Sequence, residues 1–152
     1  MNFRDLFNWN GNIYLNTIVE SEPCHLTVYV DRCKVSDQSQ DLTWGEQVIH
    51  DVRPIVVDEG LPILKVDFST YISYSVLNET YFPFNNYDVF EGSCFKIAKQ
   101  SRYFEYILSQ TMAHHIHPNK QHVHYGIYCL NHIIDVISYE EPLVCEVSRD
   151  SF

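Results

Sequence analysis

An α+β fold, mainly an antiparallel sheet with one long helix at about residues 99–115 packed on one face, follows from three observations. The composition is rich in strand formers, with eleven Tyr, nine Phe and two Trp among 152 residues. Most segments alternate apolar and polar residues with a period of two. One segment alone, residues 98–115, repeats its apolar residues at helical spacing. A chain of this length fits one domain, 1–152, with a sizeable core.

Taken in order, residues 12–19 (NIYLNTIV) and 25–30 (HLTVYV) are β-branched and aromatic runs on either side of the breakers Glu20-Ser21-Glu22-Pro23, which predicts an opening hairpin. Residues 34–41 read as a polar loop. Thr43 followed three residues later by Glu46 has the form of a capping box and predicts a short helix near 43–50, although Gly45 weakens it. Residues 53–63 give a short strand, a turn at Asp58-Glu59-Gly60 and a second strand after Pro62.

Residues 64–82 form the longest strand-like segment, in which Leu64, Val66, Phe68, Ile72, Tyr74 and Val76 share even positions and therefore one face. Residues 83–88 read as a turn and 89–98 as a strand with Gly92 at a bulge. In the helix, Phe104, Ile107, Leu108, Thr111 and Met112 fall on one stripe, Ser101 is the N-cap, and Pro118 enforces the end. Residues 122–138 read as a further strand, and EEPLVCEVS, 140–148, closes the chain.

The stretch HHIHPNKQHVH, 114–124, carries five of the eight histidines. His122 and His124 are two apart on a strand, and one more imidazole from His114 or His117 would complete a three-ligand zinc set. No Asp or Glu occurs between 106 and 134 to act nearby as a further ligand or general base. The stretch therefore reads as a helix-to-strand junction able to sense pH, with a metal-dependent hydrolase on these four histidines as the alternative function. No cofactor is expected. Gly-rich phosphate loops and the nucleophile elbow are absent, and an odd separation puts Cys129 and His124 on opposite faces of a strand. The five cysteines, with no Cys-x-x-Cys pair, read as buried free thiols.

Charge speaks to partners. The formal net charge is −10, and residues 1–92 hold fourteen acids against five bases while 93–152 hold six against five. Such a surface repels nucleic acid and anionic membrane and attracts basic proteins. Tyr71, Tyr81, Tyr87 and Tyr103 with Trp44 supply the amphipathic anchors common at protein interfaces. The expected partner-binding set is Asp58, Glu59, Asp67, Tyr71, Glu79, Tyr87, Asp88 and Glu91. With no apolar run long enough for a signal or a span, the expected compartment is the cytoplasm.

In this overall character, with the strand texts VDFSTYISYSVLNETY and HYGIYCLNHIIDVIS bracketing the helix SRYFEYILSQ, the chain resembles the immunity proteins encoded beside bacterial polymorphic or contact-dependent toxins. The resemblance implies a module without catalytic residues that neutralises a cognate, often basic, toxin domain by direct binding. A small-ligand binding domain is a further alternative.

Overall fold

The computed structural model describes residues 1–83 and 85–151. Most of the chain is antiparallel sheet. Strands β1 (Ile13–Glu22), β2 (His25–Val35), β6 (Ile63–Phe68) and β12 (Leu143–Val147) lie side by side in that order, and β5 (Ile55–Val57) pairs with the end of β2. A second five-stranded sheet has the order β7 (Tyr71–Asn78), β11 (His132–Ser138), β10 (Val123–Tyr128), β9 (Phe95–Gln100), β8 (Val89–Glu91). The two sheets face each other across one core, into which Leu26, Val28, Val30, Leu64, Val66 and Phe68 project from the first, and Phe95, Tyr125, Ile127, Ile134 and Val136 from the second.

Period-two alternation thus works as expected in the strands that face the core, as in β6, where Leu64, Val66 and Phe68 are buried and Lys65 and Asp67 stand on the other side. The predicted opening hairpin is β1–β2, with Cys24 in its tight turn at φ +64°. The 3-10 turn at Phe3–Leu6 closes one edge of the sandwich. Phe3 is fully buried and stacks edge-on against Phe95, Tyr125 and Phe7 at 5.8, 5.1 and 6.4 Å between ring centres. Arg32, on the core-facing side of β2, stands over the Trp9 ring and pairs with Glu146 at 2.7 Å, so its charge is compensated where it is 8% exposed.

Several expectations need correction. The long strand-like segment 64–82 is two strands in different sheets, β6 and β7, joined at Ser69-Thr70. Thr70 fixes this corner: its Oγ1 meets the Ser138 hydroxyl at 2.8 Å and accepts from the Glu140 amide at 3.1 Å. Leu64, Val66 and Phe68 face the core from one side, as expected, and Tyr74 packs on it from the other. Ile72 is an extra residue between the Tyr71–Ser138 and Ser73–Ile137 rungs, and this bulge lets Tyr71 pack on the core beside Tyr74.

The one long helix of about 99–115 is not formed. Residues 95–100 belong to β9, helix α1 covers Arg102–Gln110, and a separate turn of helix, α2, covers Ala113–Ile116. Ser101 is the N-cap as predicted, accepting from the Phe104 amide at 3.1 Å. The break comes at β-branched Thr111, which is extended (φ −124°, ψ 166°) and whose Oγ1 accepts from the Ala113 amide at 3.4 Å, a local bond that competes with the helical one. The chain leaves α2 through His117 just before Pro118, where the proline rule places the stop.

The short helix near 43–50 is also absent. Residues 40–52 form a two-stranded hairpin of β3 (Gln40–Trp44) and β4 (Gln47–Val52). Only Gly45 and Glu46 connect them, and Gly45 takes φ +61°, a left-handed conformation that a helix start cannot use and a two-residue hairpin requires. At the far edge, the single strand expected over 89–98 is two paired strands, β8 and β9, with Gly92 in the connection between them, and the bulge lies instead at Lys99, between the Val89–Gln100 and Phe90–Ala98 rungs. The thiols differ as well: Cys129 is buried, while Cys24 and Cys145 are exposed. Among the described residues no helix is long and apolar enough to cross a membrane.

Candidate interaction surface and the histidine junction

The β3–β4 hairpin leaves the sandwich after Val35 and returns at Ile55, two residues that pair with each other. The Ser36 amide donates to the Pro54 carbonyl at 2.8 Å and closes its base. Every residue of β3 is exposed, and so is all of β4 except Val52. Leu42 pairs with Ile49, and Trp44 with Gln47, so alternation places Leu42, Trp44 and Ile49 on one side of the ribbon. Trp44 is 76% exposed at the tip, and Ile49 and Val48 are about half exposed. Around this apolar strip residues 37–53 carry Asp37, Asp41, Glu46 and Asp51 against Arg53 alone.

A lone two-stranded hairpin is marginal in water. This one is held by its ladder, by its closed base and by the His50–Asp41 contact at 2.9 Å. Trp44 was legible as an anchor; Leu42, Val48 and Ile49 were missed. The signal was there, because DLTW alternates and the β-branched pair Val48-Ile49 follows across a two-residue connection holding glycine.

The predicted partner-binding residues do not assemble into one patch. Asp58 and Glu59 sit at the turn after β5, where the Lys34 ammonium, 3.2 Å from Asp58, draws that carboxyl below its ordinary value, aided by the Gly60 amide. Asp67 lies on the outer side of β6. Burial pushes its carboxyl up, but bonds from Thr27 (2.6 Å) and His25 (2.7 Å) and the nearby Lys65 outweigh this and lower it. Tyr71 donates to Glu20 at 3.0 Å, at the start of β7, and Glu79 begins the 3-10 turn after its end. Tyr87, Asp88 and Glu91 gather near α1 and β8. Tyr87 donates to Glu105 at 2.6 Å and lies under Arg102, Asp88 accepts from the Arg102 amide at 2.9 Å, and Glu91 faces Lys99 at 3.6 Å. Tyr103 is held by Ser73 and packs on His124, whereas Tyr81 is 75% exposed.

The four candidate metal ligands separate into two settings, His124 in one and His114, His117 and His122 around Tyr139 in the other. His124, 2% exposed, bonds through Nδ1 to the Ser101 hydroxyl and through Nε2 to Asp135, both at 2.8 Å. Asp135 is far along the chain but diagonal to His124 across the β10–β11 ladder, so the acid that local sequence lacked arrives by strand pairing. His117 lies against the Tyr139 ring at 4.4 Å, and His114 meets His122 edge-on at 5.1 Å. Among the described residues no group of three or more His, Cys, Asp or Glu is disposed to hold a metal ion.

His122 is 7% exposed, and neither ring nitrogen has a hydrogen-bond partner among the described residues. Burial first, then the proximity of His114 and His117, lowers its affinity for a proton below the ordinary imidazole value of 6.5. The unfolded chain therefore binds more protons than the folded one just below that value, and stability rises with pH through this window. Denaturant titrations at about pH 5 and about pH 7.5 are expected to show a loss at the acid end that His122→Gln reduces. An unchanged pH slope in the variant would contradict this account.

Comparison with protein-family models, with curated proteins and with solved structures gives no match to this chain.

Proposed function

We propose that this protein is a cytoplasmic immunity-type inhibitor that neutralises a basic toxin domain by seating the β3–β4 hairpin on it. One observation carries the reading: an acidic ribbon, projecting with an exposed tryptophan and two aliphatic side chains on one side, has no packing role in the core. Large aromatic side chains ringed by charge are the usual energetic centres of protein interfaces. The matching partner surface is an apolar pocket bordered by Lys and Arg. Asp58, Glu59, Glu79 and Glu91, spread over the rest of the surface, add long-range attraction that speeds encounter.

The test is co-expression and affinity measurement with the product of the neighbouring gene. Trp44→Ala is expected to weaken binding by about 30-fold or more, a cost of about 2 kcal/mol at a hot spot. Joint replacement of Asp37, Asp41 and Glu46 by Lys is expected to slow association and reverse its salt dependence. Protection from the toxin that persists undiminished in both variants would remove the hairpin from the mechanism.

A further inference from the structure

Strands β9 and β10 pair through Phe95–Ile127, Lys96–Gly126 and Ile97–Tyr125, and then part. Between their diverging ends and the start of α1 lies a pocket of ≈ 170 Å³, remote in sequence from the hairpin. Ile97, Val123 and Phe104 give it an apolar part, Gln100, Ser101, Gln121 and His124 a polar part, and the cations Arg4 and Lys99 also line it. Among the described residues no carboxylate lines it, in a chain whose acids outnumber its bases 20 to 10. A local excess of positive charge in such a chain is a specific feature rather than a reflection of composition.

Two further observations bear on what the pocket takes. His122 forms part of its wall, and both of its buried ring nitrogens are without partners among the described residues. A buried polar group in that condition costs free energy that a bonded ligand would recover. Lys99 occupies the β9 bulge, a device that re-aims a side chain, and its one ion pair, to Glu91 at 3.6 Å, is between half-exposed groups and easily exchanged. Arg4 makes no ion pair among the described residues; its guanidinium rests 5.5 Å from the Phe7 ring.

We propose that this pocket binds a small monocarboxylate with an apolar body, the carboxylate held by Arg4, Lys99 and His122 and the body lying against Ile97 and Phe104. An apolar cavity of about 150 Å³ accommodates a benzene ring, so the volume suits an aromatic or branched aliphatic acid. Inorganic phosphate would satisfy the cations and leave the apolar walls unused. A neutral alcohol of the same shape would fill the walls and leave the cations and His122 unanswered.

The probe is benzoate, titrated into the full chain and followed by amide chemical shifts and calorimetry, with benzyl alcohol and inorganic phosphate as the two comparisons. Saturable one-to-one binding of benzoate is expected, with shifts concentrated in residues 97–104 and 121–124. Benzyl alcohol and phosphate should each bind at least about tenfold more weakly. Arg4→Gln combined with Lys99→Gln, both at the pocket border, should weaken benzoate by about tenfold or more while leaving the amide spectrum of the core unchanged. The proposal is overturned if benzoate does not saturate by about 10 mM, if the alcohol or phosphate binds as well, or if the double variant binds benzoate normally.

Discussion

Replacing Phe3 with alanine is expected to lower the unfolding free energy by about 3–5 kcal/mol, the cost typical of truncating a buried aromatic ring. The ring has no exposure and contacts aromatic side chains from three parts of the chain: Phe7 beyond its own turn, Phe95 on β9 and Tyr125 on β10. Each edge-on pair adds to simple area burial. The 3-10 turn that carries it is fixed by the capping exchange of Asn2 with Asp5 and by the bridge from Asn2 to Leu143. Collapse into the void would have to move two strands of a hydrogen-bonded sheet, which rules out cheap relaxation. Urea or guanidinium titration measures the loss, and Phe3→Leu, which keeps most of the volume, should cost less than about half as much. A Phe3→Ala protein of near-normal midpoint and slope would mean that the turn is not part of the cooperative core.

Gly92→Ala is expected to cost roughly 3 kcal/mol, from overpacking and backbone strain acting together. Gly92 takes φ +103°, a conformation that L side chains rarely adopt, and an added Cβ would lie 2.1 Å from the Phe95 carbonyl oxygen. That oxygen cannot retreat easily, because Phe95 is fully buried and paired with Ile127. The same Cβ would stand 3.2 Å from Phe7, so relief in one direction presses on the residue that braces Phe3. The measurement is again an unfolding curve, supplemented by amide exchange in β8 and β9, where protection should fall first. Unchanged exchange at those strands in a folded Gly92→Ala protein would show that the chain accommodates the methyl group.

What could be read in advance follows from the range of the interactions. The alternation of Leu26, Val28 and Val30, the cap at Ser101 and the proline stop after His117 are local, and each was legible. The passage from one sheet to the other at Ser69-Thr70 carries neither Gly nor Pro, and its cause, the contacts of Thr70 with Ser138 and Glu140, comes from residues about seventy positions away. Thr43 and Glu46 imitate a capping box and so predict a helix near 43–50; the left-handed Gly45 decides the matter in favour of a hairpin turn. The histidine stretch divides because Asp135 claims His124 across a ladder, whereas His114 and His122 meet only once the helix has broken at Thr111.

The closed base of the hairpin has a consequence for descent. Val35 pairs with Ile55 and Ser36 bonds to Pro54 beneath it, so the ribbon is an insertion into an already complete edge. Its length and sequence can drift without disturbing a single core residue, and a short turn joining 35 to 55 would leave the sandwich whole.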